Sequence, residues 1–173
     1  IVQRRWRGDG RADETDLIPG NGIVDTQSGN VTLRAAIVET NALAGPQTIT
    51  LPAGTYTLGR AGINEDAADT GDLDISDDLT IVGADAATTI IDADSIDRVF
   101  QVISGATFNL SGVTVTGGSL TNSTDGGGVF NAGTLQIDDV IVRDNQVSGS
   151  VTALGGGIFN QSTLTVTGSQ FLN

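Results

Sequence analysis

The chain has 173 residues, with 24 Gly, five Phe, one Trp, one Tyr and no Cys, Met, His or Lys, and its 8 Arg against 18 Asp and 3 Glu leave a formal charge of −13. Without thiol or imidazole, disulfides, zinc–thiolate sites and Ser-His or Cys-His nucleophiles are excluded. So strong a negative charge opposes nucleic acid and anionic lipid alike.

In chain order, residues 1–47 read as an N-terminal extension and cap. Ile1, Val2 and Trp6 stand among Arg4, Arg5, Arg7 and Arg11, an apolar and basic segment suited to adding a strand onto an acidic neighbour. The loop 9–25 follows, where Asp9, Asp13, Asp16, Asn21 and Asp25 supply the oxygen ligands that Ca2+ prefers, although the spacing is not that of an EF-hand. The competing reading is a solvated acidic surface. A helix is expected over 33–44, with Leu33, Ala36, Ile37, Thr40 and Ala44 on one face, Thr32 as N-cap and Gly45-Pro46 as the stop. Strands at 48–51 and 55–58 come next, then a second acidic loop, 65–78, with Asp66, Asp69, Asp72, Asp74, Asp77 and Asp78. No apolar run approaches the ~20 residues of a membrane-spanning helix.

From there to the end the sequence repeats itself. Gly126-Gly127-Gly128-Val129-Phe130-Asn131 returns as Gly155-Gly156-Gly157-Ile158-Phe159-Asn160, Leu135 as Leu164, and Val142 as Phe171. Looser echoes place Phe100 before Phe130, Phe108 before Leu135, Leu79 before Phe108 and Leu51 before Leu79. A period of about 28–29 residues, within the range typical of solenoids, implies that each unit buries its apolar face against its neighbours. Inside each unit the apolar residues alternate over short β-branched runs bounded by Gly, Asn and Asp, as at Leu135, Ile137, Val140 and Val142. That is a strand pattern. Residues 48–173 therefore read as the coils of an all-β parallel β-helix, with the helix as a cap over the first coil. Phe100, Phe130 and Phe159 are expected to stack inside as an aromatic ladder. The last coil is expected to stay open, with Phe171 exposed, so that more coils of the same polypeptide or a second copy would cover it, giving end-to-end assembly.

Val31-Thr32-Leu33-Arg34-Ala35-Ala36-Ile37, followed by Thr48-Ile49-Thr50-Leu51-Pro52-Ala53-Gly54-Thr55-Tyr56, resembles the CSLREA-type N-terminal domain of large microbial surface proteins. Val31 stands at the family's motif cysteine, Val24 at a second one, and Ala35 at its Glu, so a capping box with Thr32 is not completed. The Gly-Gly-Gly-(Val/Ile)-Phe-Asn units are similar to the repeats of polymorphic outer-membrane proteins and other β-helical adhesins. The resemblance implies a secreted, right-handed parallel β-helix with a structural or adhesive role at the cell surface, and no chemistry.

Two other functions fit the same residues. A polysaccharide-processing lyase or glycoside hydrolase would use clustered Asp on one sheet, and Asp77-Asp78 and Asp138-Asp139 are the adjacent pairs, with Asp78 and Asp138 able to share a face. Arg98 or Arg143 would have to serve as base, and the repeat register sets no Asp cluster beside either. A carbohydrate-binding module without catalysis is the second. A groove lined by Asp, Arg and an aromatic would mark sugar recognition, whereas flat Thr/Ser/Asn faces mark a scaffold. Asn-x-Ser/Thr sequons at Asn30, Asn109, Asn122 and Asn160 are candidate glycosylation sites. Asn122 is the best placed, and Asn160 suits an internal amide ladder. The reading taken forward is a non-enzymatic extracellular solenoid that self-associates and meets surface glycans, with Ca2+ as its one candidate cofactor.

Overall fold

The computed structural model describes residues 13–63, 65–121, 125–149 and 154–172. It is an all-β solenoid of about four turns with, among the described residues, a single helix on its N-terminal side. With strands numbered in chain order, the first sheet stacks β1 (Gln47–Leu51), β4 (Leu79–Gly83), β7 (Thr107–Ser111), β11 (Thr134–Asp138) and β15 (Thr163–Thr167). The second stacks β2 (Gly54–Thr57), β5 (Thr89–Asp92), β8 (Thr114–Thr116), β12 (Ile141–Arg143) and β16 (Gln170–Leu172). The third holds β3 (Leu73–Ile75), β6 (Phe100–Val102), β10 (Val129–Asn131) and β14 (Ile158–Asn160). Two turns add a short fourth strand, β9 (Ser119–Thr121) and β13 (Gln146–Ser148), between the second and third sheets. All pairings between these strands are parallel.

The apolar alternation points inward. Leu79, Ile81, Phe108, Leu110, Leu135 and Ile137 line the first sheet's inner face, and Ile91, Val115 and Val142 that of the second. Fully burying such a side chain contributes about 1.5–3 kcal/mol. The Gly-Gly-Gly units serve close coil stacking, since a Cβ on Gly127 would fall 2.6 Å from the Gly156 carbonyl oxygen.

Helix α1 runs Leu33–Ala42, two residues shorter than expected, with Thr32 Oγ1 accepting from Ala35 N–H as N-cap. Leu33, Ala35, Ala36 and Ile37 join the same core as Ile49 and Leu51, and Val24 and Val31 pack there too. Strand β3 ends the third sheet, and α1 substitutes for a missing neighbour. Asn41 Nδ2 donates to the Asp74 carbonyl (2.7 Å), and Ser76 N–H donates to Asn41 Oδ1 (3.1 Å).

Two expected alignments are wrong. Leu51 lies opposite Gly83, and it is Gln47 that pairs with Leu79. In the aromatic ladder, Phe100 lies opposite Val129, while Phe130 lies opposite Gln101 and Phe159. Matching Phe to Phe imposes a step of 30 where the backbone takes 29, and a one-residue slip exchanges the inner and outer faces. Phe100 is therefore buried against Phe108, ring centroids 5.1 Å apart, while Phe130 and Phe159 stack on the outside at 5.8 Å. The inward position at this corner is Ile75 and Val102 in the earlier coils and an amide in the last two. Buried Asn131 donates from Nδ2 to Asn160 Oδ1 (2.6 Å) and to the Thr163 carbonyl (2.8 Å).

Candidate functional site

The outer face of the third sheet is the chemically distinctive part of the molecule. In register it presents Asp74, Gln101, Phe130 and Phe159 along one line. Beside Gln101 opens a cleft of about 550 Å3. Its polar lining includes Glu65, Asp66, Asp72, Asp97 and Arg98, Ile96 and Leu120 supply apolar wall, and Ser119 and Thr121 of β9 complete it, with Ser119 N–H donating to the Asp97 carbonyl (2.9 Å).

The loop between β2 and β3 forms one side, and a buried cation organises it. Arg34 has no exposed surface. Its Nε donates to both Asp13 carboxylate oxygens at 2.8 and 2.9 Å, Nη1 to the carbonyls of Ala68 (2.9 Å) and Asp72 (3.1 Å), and Nη2 to that of Gly71 (2.7 Å). Asp13 also accepts from Gly59 N–H and Arg60 N–H at 2.9 and 3.1 Å. These bonds fix the backbone at Asp72. Gly71 has φ +61°, and a Cβ there would meet Asp97 Oδ2 at 2.7 Å.

Arg98 is the hub of the site. Its Nη1 donates to Gln101 Oε1 (3.1 Å), and Gln101 Nε2 donates to Asp66 Oδ1 (2.7 Å). The guanidinium carbon lies 5.2 Å from the centre of the Phe130 ring, a cation–π distance. Arg98 Nε also forms an ion pair with Asp72 Oδ2 at 3.3 Å, yet neither atom has a hydrogen-bond partner. We regard the pair as a charge contact, because the two atoms are close without being aligned to share a proton. Burial pushes the Asp72 carboxyl up to about 7 against the lowering influence of Arg98, and burial with the Asp72 charge nearby takes Asp74 to about 8. Asp97 is raised too, chiefly by burial.

Other expected site residues go elsewhere. Asp16 accepts from Ile18 N–H (2.8 Å) and Asp25 N–H (3.0 Å), and Asn21 Oδ1 from Ile23 N–H (2.7 Å), so these side chains organise their own loop. Asp25 is exposed, and Asp9 lies outside the described residues. Among the described residues no group of three or more carboxylates is placed to hold a metal ion. Asn30 is half-buried, with Nδ2 donating to Ser28 Oγ, and Asn109 lies within β7 reaching Thr80 Oγ1. Asn122, Ile1, Val2 and Trp6 lie outside the described residues, and Phe171 is 50 % exposed. Asp78 and Asp138 do not share a site, because Asp78 precedes β4 while Asp138 ends β11. Arg143 pairs with its neighbour Asp144 at the surface.

Arg98 does have carboxylates beside it, contrary to the expectation from the repeat register. Asp97 is its neighbour in sequence, and Asp72 arrives on a loop that lies outside the repeat. Arg34 was legible only as part of a resemblance. Its signal was the one Arg in the helix, next to Leu33 at the edge of the apolar face. No family model matches this chain, and neither a curated protein nor a solved structure matches it. The likeness to CSLREA-type domains and adhesin repeats therefore rests on the residues quoted for it.

Proposed function

We propose that this chain is a segment of an extracellular β-solenoid with a structural and adhesive role, binding surface glycans through the cleft beside Arg98. The observation that carries this reading is a polar cleft beside the third sheet of the solenoid, while the first sheet turns rows of Thr, Asn and Gln outward. Outward positions of the first sheet are Thr107, Thr134 and Thr163 in one column and Asn109, Gln136 and Thr165 in another, a surface that suits a scaffold. The cleft combines Asp, Arg and Gln with apolar wall, the mixture that pockets for polar small molecules use to orient a ligand. The lysine-free, Asp-rich composition supports exposure to saline surroundings, in which carboxylates hold hydration.

A second reading is glycan hydrolysis, favoured by the neighbouring carboxyls of Asp72 and Asp97, both raised and so suited to proton donation. One experiment separates the two. The purified chain is applied to immobilised polysaccharides, and both retention and newly formed reducing ends are measured. Adhesion predicts retention that weakens in Arg98→Ala, with no new reducing ends. Reducing ends that vanish in Asp72→Asn would establish hydrolysis, and absence of both signals would remove the glycan reading.

A further inference from the structure

Asp72 Oδ2, an acceptor when the carboxyl is ionised, and Arg98 Nε, a donor, are buried and without a hydrogen-bond partner, 3.3 Å apart, in two residues that line the cleft. The side chains are 9 % and 16 % exposed. Buried polar groups left unmade cost about 1–3 kcal/mol each. A ligand that satisfies both regains that cost, and few chemical groups can do so. A carboxylate, sulfate or phosphate accepts from Arg98 but offers no proton to an ionised Asp72, and it would approach the carboxylates of Glu65, Asp66 and Asp97 as well. An ammonium donates to Asp72 but cannot accept from Arg98. A hydroxyl does both at once, because its oxygen donates one proton and keeps two lone pairs.

Resting on the glycan reading above, we infer that the cleft takes an uncharged saccharide, with one sugar hydroxyl donating to Asp72 Oδ2 and accepting from Arg98 Nε. Ile96 and Leu120 provide apolar surface for the C–H face of the ring, and Ser119 and Thr121 add hydroxyls to the lining. Phe130 is a positioning residue here, since its ring lies under the guanidinium and stacks in turn on Phe159. Adjacent strands of a sheet lie about 4.8 Å apart, close to one pyranose unit. A linear oligosaccharide can thus run from the cleft along the line of Gln101, Phe130 and Phe159.

The test is equilibrium binding of the chain to soluble neutral gluco-, manno- and galacto-oligosaccharides, an oligogalacturonate and a glucosamine oligomer, followed by calorimetry. The expected result is binding of at least one neutral oligosaccharide, about ten-fold or more weaker in Asp72→Leu, whose shape is similar but which cannot accept. Ser119→Trp, which sets a bulky ring among the lining residues while keeping the Asp72 and Arg98 side chains, should abolish it. Thermal melting of each variant shows that it is folded, and Ser119→Trp carries the test if Asp72→Leu is not. Stronger binding of the uronate or the amino sugar overturns the uncharged class while leaving the adhesive reading in place. Failure of every saccharide overturns both. Neutral binding unchanged in both variants overturns the assignment to this cleft.

Discussion

Arg34 shows how one side chain sets up a site it does not enter. Its guanidinium is satisfied by Asp13 and three carbonyls of the loop 68–72, so removal strands an anion and several acceptors in the interior. Breaking a buried pair of this kind typically costs about 3–5 kcal/mol. Arg34→Met should lower stability by that order in urea unfolding, and a loss under 1 kcal/mol would show that the loop is held by other contacts. The aromatic residues give a contrast. Phe100→Ala removes a wholly buried ring and should cost about 3–5 kcal/mol. Phe130→Ala empties a half-exposed outer position and should cost much less, so equal losses would return Phe130 to the lumen. The carboxyls have their own signature. Asp72 and Asp74 move from 3.8 to about 7 and about 8 on folding, so the folded chain holds more protons than the unfolded one within that window. Stability therefore falls as pH rises from about 4 to about 8 and levels off above. Asp72→Asn combined with Asp74→Asn should flatten this slope in melts across pH, whereas an unchanged slope would place its origin elsewhere.

At the level of elements, the cap helix shows why one residue type cannot be judged from the local pattern alone. Its N-cap, Thr32, is legible in the sequence, and Thr32→Ala should cost about 1 kcal/mol. By helix-end rules Glu in place of Ala35 completes a capping box, but Ala35 is fully buried in the common core. Ala35→Glu would force a carboxylate into apolar surroundings, and it should lower the melting temperature. A rise would mean that the capping term outweighs burial. Asn41, at the other end of α1, occupies the place of a neighbouring strand beside β3. Strand edges need this, since unpaired backbone groups invite pairing with another chain.

Across the whole molecule, the solenoid was readable because the same physical demand recurs from coil to coil: apolar side chains inside at alternate positions, to which the last two coils add Gly at a close backbone approach and an Asn at the corner. The repeat of Val129-Phe130-Asn131 as Ile158-Phe159-Asn160 holds residue for residue. The site was not readable in the same way, because its parts obey no repeat. Asp72 comes from a long loop anchored by Arg34, and the outward turn of Phe130 hangs on a single-residue difference between 29 and 30. That difference decides whether the aromatic pair fills the lumen or borders the cleft. The chain has no cysteine, so a thiol introduced at one position reports that position alone. Phe100→Cys, Phe130→Cys and Phe159→Cys should be compared for labelling by a small thiol reagent under native conditions, with full labelling in denaturant as reference. Rapid native labelling at 130 and 159 with protection at 100 is the predicted result. Protection at 130 equal to that at 100 would contradict the outward register, and with it the continuous track from the cleft along Gln101 to Phe159.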